Sequence, residues 1–107
     1  MKKDLEIGEL NDIYGALLTP RQNEILKSYY DYDLSLSEIA ENTGVTRQAV
    51  RDAIVKASEQ LKFFEESVGA LALKNRVKNS IEKICSDVKS GNADDVVASL
   101  NELVSQL

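Results

Sequence analysis

The chain has 107 residues, 43% hydrophobic and 29% charged, with a formal net charge of −5. That is a globular composition, sufficient for one modest domain or a small domain with a helical extension. It has no histidine and a single cysteine, Cys85, which removes the commonest general base and excludes both a zinc site and an internal disulfide.

Four or five helices account for nearly everything, and no segment alternates as a strand would. The first helix is expected from about Leu5 to Leu18, with Leu10, Ile13, Tyr14 and Leu17 as its inward stripe. Thr19-Pro20-Arg21-Gln22 opens the second: Thr19 caps, Pro20 suits the first helical position, and Gln22 reaches back to the Thr19 backbone. Leu18 before the cap is placed as a hydrophobic staple. The helix continues through Ile25, Leu26 and Tyr29 and ends at the turn-forming Asp31-Tyr32-Asp33. Ser35 and Glu38 form another capping box, opening a short helix whose Ile39 and small Ala40 face inward. Gly44 supplies the positive φ of a tight turn, and Thr46 caps the next helix. There Val50, Ala53 and Ile54 continue the apolar face begun at Val45, while Arg47, Gln48, Arg51 and Asp52 point outward. From Ser35 to Ile54 this is the pattern of a helix-turn-helix, whose second helix usually enters the major groove of DNA.

That helix has no stop before Gly69. Val50, Ile54, Ala57, Leu61, Phe64, Val68 and Leu71 step by alternating fours and threes, a heptad seam. The phase shifts near Gly69-Ala70, where a kink or a helix end and restart is expected. Leu73, Val77, Ile81, Ile84 and Val88 then form a second seam, with Cys85 a small apolar residue beside it. Ser90-Gly91-Asn92 ends this helix, and Asn92 caps a last one carrying Val96, Val97, Leu100, Leu103 and Val104. Residues 1–64 are thus expected as a helix-turn-helix domain and 65–107 as a helical C-terminal extension. So much seam after a small head either folds back on the N-terminal helices or pairs with a second copy. A homodimer is the expectation.

No catalytic constellation emerges. The five glycines are scattered rather than gathered in a phosphate loop, and the carboxylates lie on amphipathic helices. A non-enzymatic protein without a cofactor or metal is expected. No apolar run approaches the roughly 20 residues that span a bilayer, so no membrane insertion is expected. The start Met1-Lys2-Lys3-Asp4-Leu5-Glu6 lacks the apolar stretch of a signal peptide. With the lone thiol, this points to the cytoplasm.

Arg47, Gln48 and Arg51 are the candidates for reading bases, since arginine grips guanine and glutamine grips adenine in two-pronged fashion. Arg21, Ser35, Ser37 and Lys56 are candidates for phosphate contacts. Each has a plainer reading: solvated helix surface for the arginines and Lys56, a helix cap for Ser35. The acidic total opposes nucleic acid, because affinity for phosphates comes largely from Lys and Arg. Residues 35–62 are nevertheless balanced, with Arg47, Arg51, Lys56 and Lys62 against Glu38, Glu41, Asp52 and Glu59. DNA binding of weak to moderate strength is expected.

From Leu18 to about Leu61 the chain resembles region four of primary sigma factors. The entry Leu18-Thr19-Pro20-Arg21-Gln22, the turn segment Leu36-Ser37-Glu38-Ile39-Ala40 and the recognition helix Val45-Thr46-Arg47-Gln48-Ala49-Val50-Arg51 carry the likeness. It implies base reading by Arg47, Gln48 and Arg51 and backbone contact by Arg21. Gln48 stands where that family often has glutamate. Over its whole length the chain resembles the small bacterial YlxM-like proteins, through Leu17-Leu18-Thr19, the Tyr29-Tyr30 pair, Ser35 to Glu41, Arg47-Gln48-Ala49-Val50 and the helical tail. Genes of that family typically sit beside those for the signal recognition particle GTPase and its receptor, so the resemblance implies a regulatory role in that pathway. The expected fold is all-α, a sigma-region-four-like helix-turn-helix with added C-terminal helices. The leading expectation is a regulatory protein that binds DNA. The alternative is a protein-interaction module that acts on signal recognition particle components without DNA.

Overall fold

In a computed structural model, residues 3–107 are described; Met1 and Lys2, where the N-terminal run tested for a signal peptide begins, lie outside them. The described residues form six α-helices and no strand: α1 (Leu5–Tyr14), α2 (Pro20–Tyr30), α3 (Leu36–Thr43), α4 (Arg47–Val68), α5 (Ala70–Ser90) and α6 (Ala93–Ser105), with a 3-10 turn at Gly15–Leu17. They divide into two compact units, the first reaching to Gly69 and the second spanning Ala70–Leu107. α4 runs through residue 64 without a break, so the division falls at Gly69, whose φ of +71° ends the helix.

The first unit is organised around α4, against which α1, α2 and α3 all pack. Its core comprises Ile7, Leu10, Leu26, Ile39, Val50, Ile54 and Leu61, all essentially inaccessible to solvent. The N-terminal end of every helix from α1 to α4 is fixed by a side chain. Thr19 Oγ1 accepts from the Gln22 N–H at 3.2 Å while Gln22 Oε1 accepts from the Thr19 N–H at 3.1 Å. Ser35 and Glu38 reproduce that reciprocal arrangement at 3.1 and 3.2 Å. Asp4 caps α1 and Thr46 caps α4 through one bond each. These bonds satisfy N–H groups that a helix start otherwise leaves to water.

The first helix is shorter than its periodicity suggests. It ends at Tyr14, and the chain tightens into the 3-10 turn. The cause is a polar contact with α2: Asn23 Nδ2 donates to the Gly15 carbonyl at 3.2 Å, and Asn11 Nδ2 donates to Asn23 Oδ1 at 3.3 Å. A Cβ on residue 15 would stand 2.7 Å from Asn11 Oδ1, so only glycine admits this approach. The turn swings Leu17 outward, where it is 64% exposed, and delivers Leu18 to the core. Leu17 therefore leaves the inward stripe expected of it, and Ile7 joins it instead.

The seam expected along α4 is interrupted rather than continuous: Val68 is exposed, while Leu71, in the first turn of α5, is buried. Val50, Ile54, Ala57 and Leu61 are all buried within the first unit. Phe64 is half-buried beside the Tyr14 ring, with centroids 6.1 Å apart, and Tyr14 donates to Glu65 Oε1 at 2.6 Å. The head thus covers Leu61 with its own helices.

The second unit is a hairpin of α5 and α6. Gly91, at φ +75°, ends α5, and Asn92 Oδ1 caps α6 by accepting from the Asp95 N–H. Ser99 of α6 is buried between the helices; its hydroxyl accepts from Lys83 Nζ at 3.2 Å and donates to Asp87 Oδ2 at 3.4 Å. No helix among the described residues is long and apolar enough to cross a membrane.

Candidate nucleic-acid interface

The turn between α3 and α4 sets the direction of the candidate reading helix. α3 ends at Thr43, and Gly44 adopts φ +73°, a left-handed conformation that suits glycine. Its N–H and that of Val45 both return to the Ala40 carbonyl, at 2.9 and 3.3 Å. α4 then starts at Arg47, capped by Thr46 Oγ1, which accepts from the Ala49 N–H at 3.1 Å. Because Val50 and Ile54 are driven into the core, helical phase points Gln48 and Asp52 into solvent and sets Arg51 on the flank. Arg47, seven residues before Ile54 and on its side of the helix, is instead exposed as the first residue of α4; all four are exposed.

Arg47 and Arg51 lie one helical turn apart and share a face. Neither has a hydrogen bond or an ion pair among the described residues, so their guanidinium donors remain available. The nearby carboxylates are used locally: Glu38 in the cap of α3, and Asp52 in accepting from Gln48 Nε2 at 2.9 Å. This last bond was not expected from the sequence, although a glutamine four residues before an aspartate on a helix is a readable signal. It commits one of the two Gln48 amide N–H donors to its own helix and leaves the other N–H and the carbonyl oxygen for an external partner.

Of the phosphate candidates, Lys56 is exposed on the same helix, nine residues and about 13 Å along the axis from Arg47. It borders a shallow apolar depression with Leu17, Gln60 and Phe63, where Phe63 is 63% exposed. Arg21 is exposed in the first turn of α2. Ser35 and Ser37 are exposed at the start of α3, where Ser35 is committed to its cap as acceptor but keeps its hydroxyl proton to donate. Arg21, Ser35 and Ser37 occupy the starts of two helices, where the backbone dipole favours an anion, whereas Lys56 lies in the middle of α4.

One further feature escaped the sequence reading. Lys3 pairs with Asp33 and lies 4.6 Å above the Tyr29 ring. Its hydrogen bond and charge hold the exposed Asp33 carboxyl below the usual range. Burial pushes the Tyr30 hydroxyl above its ordinary value. Together these contacts tie the segment before α1 to the end of α2, away from the start of α4.

Three helices around an αL glycine turn, with the last helix exposing the polar side of its first two turns, define a helix-turn-helix protein. The family model described as "Putative helix-turn-helix protein, YlxM / p13 like", UPF0122, matches residues 1–102, and the chain belongs to that family. It is 43% identical over 84 residues to a UPF0122 protein of Desulforamulus reducens, covering 78% of this chain and 72% of the relative. It is 44% identical over 75 residues to one from a Thermoanaerobacter species, covering 70% of this chain but only 64% of that protein's length. A UPF0122 protein of Fusobacterium nucleatum is 32% identical over 96 residues, with 90% and 93% covered.

Proposed function

We propose that this chain is a non-enzymatic, cytoplasmic regulatory protein that binds DNA through the start of α4 in the manner of sigma-factor region four, and that it acts as a homodimer. The observation that carries the reading is the pair of exposed arginines, Arg47 and Arg51, on one face of the candidate recognition helix with no carboxylate partner among the described residues. Arg47, Arg51 and Gln48 read base edges; Arg21, Ser35, Ser37 and Lys56 contact phosphates and position the helix. With few basic groups, few counterions are released, so binding is modest and falls steeply with salt. Fluorescence anisotropy with a random duplex pool at about 50 mM salt tests this. Arg51→Ala is expected to weaken binding by about 1–3 kcal/mol. Equal binding by wild type and the Arg47→Ala/Arg51→Ala double variant would overturn the assignment.

A second reading is favoured by the net charge of −5 and by the Gln48–Asp52 bond, which commits one donor of the central polar side chain of the helix. Here the helix-turn-helix is a scaffold that meets a protein of the signal recognition particle pathway, as the YlxM likeness implies. Affinity capture from lysate with and without nuclease separates the two. Retention of particle components after nuclease treatment, with no shift of duplex DNA, would put this reading first.

A further inference from the structure

The α5–α6 hairpin buries Leu71 at its start but leaves a row of its other apolar residues uncovered. Ser99 is the only residue of α6 that is buried, while Val88 is 61%, Val97 58% and Val104 70% exposed, with Ile81 and Leu100 close to half. Two helices present two seams and can hide only the strip between them; a stripe this long marks an interface. An open depression of about 350 Å³, floored by Val88, Ala93, Val96 and Val97, lies on this surface.

Charge and length say what covers it. α5 carries Lys74, Arg76, Lys78, Lys83 and Lys89 against Glu82 and Asp87, and α6 carries only Asp94, Asp95 and Glu102. One helix is basic and the other is acidic. α5 has 21 residues and α6 has 13, about 31 and 20 Å. Ser99 meets Lys83 and Asp87, so the antiparallel register places the end of α6 opposite about residue 79. The start of α5, with Lys74 and Lys78 beside its apolar stripe, has no α6 residue opposite it.

We infer that the surface is filled by the hairpin of a second copy, related by a two-fold axis perpendicular to the helices. This rests on the homodimer reading above and specifies its geometry. In that arrangement the partner's α6 runs parallel to α5 and begins beside its start. The acidic first turn of one α6, Asp94 and Asp95, then faces Lys74 and Lys78 of the other α5, and the exposed stripes close into a four-helix bundle. A parallel pairing, with both hairpin turns at one end, would set the acidic turns side by side and leave the basic starts of α5 together.

Charge reversal tests the arrangement on the full chain. The variants are Lys74→Glu/Lys78→Glu and Asp94→Lys/Asp95→Lys, each checked for helix content by circular dichroism. By sedimentation equilibrium, wild type is expected at twice 11.9 kDa, each variant alone at a dissociation constant raised tenfold or more, and an equimolar mixture of the two restored to within about threefold of wild type. If wild type dimerises and neither variant changes its dissociation constant, the antiparallel arrangement is overturned while the dimer stands. If both variants weaken and the mixture does not recover, the pairing of these charges is likewise overturned. A wild-type monomer would overturn the dimer itself, the stripe then being covered within one chain.

Discussion

Two glycines of the first unit show how differently one residue type can be constrained. Gly8 lies inside α1, where a Cβ would meet the Tyr30 side chain at 3.8 Å, an ordinary contact. Gly8→Ala is expected to stabilise by about 0.5–1 kcal/mol, because alanine restricts the unfolded chain and favours helix. Gly15→Ala should do the reverse. Its Cβ would press on the buried Asn11 amide and break the Asn11–Asn23 link, at a cost of about 1–3 kcal/mol. Urea denaturation of the two variants checks both signs. Asp33 offers a pH test. Because Lys3 holds its native carboxyl below the ordinary value of 3.8, its contribution is complete above that value and disappears as pH falls through the lowered one. Lys3→Ala should return the Asp33 titration, followed by carboxyl NMR shifts, to the ordinary range and remove that acid-limb dependence.

At the scale of single helices, the sequence is most legible where the interactions are local. The capping boxes at Thr19–Gln22 and Ser35–Glu38 join residues three apart, and the αL turn at Gly44 is a property of one residue, so pattern alone locates them. The outward Leu17 was not legible, because it depends on Asn23, which comes from another helix. The heptad pattern in α4 shows which face is apolar but not how far α1 reaches along it, so the burial of Leu61 within its own unit was missed. The site divides in the same way. The exposure of Gln48 and Arg51 follows from the phase of Val50 and Ile54, and that of Arg47 from its place at the first position of the helix, whereas the rotamer that gives Gln48 to Asp52 follows from neither. Ser35 can be tested in both of its roles. Ser35→Ala should cost about 1 kcal/mol in thermal or urea unfolding through the lost cap. Ser35→Asp keeps the cap but sets a negative charge at the helix start. If Ser35 faces phosphate, the aspartate variant keeps its stability and loses duplex binding; unchanged binding would leave Ser35 as a cap alone. Asp52→Asn removes a charge beside the arginines, and is expected to raise affinity for a random duplex severalfold.

At the scale of the molecule, α4 carries much of the first unit's structure. Leu61→Ala should destabilise by about 2–5 kcal/mol, since the side chain is wholly enclosed, while Phe63→Ala two residues later should change stability by less than about 0.5 kcal/mol. Chemical denaturation distinguishes them. The same continuous helix that supplies Val50, Ile54, Ala57 and Leu61 to the core presents Arg47, Gln48 and Arg51 to solvent. A surface mounted on the axis of its own core has no disordered state to surrender when a ligand arrives. If the proposed interface at the start of α4 is used, association there would be docking of a finished surface, without coupled folding. Its calorimetric signature would be a heat-capacity change scaled to the contact area alone, well short of that seen when a segment folds as it binds.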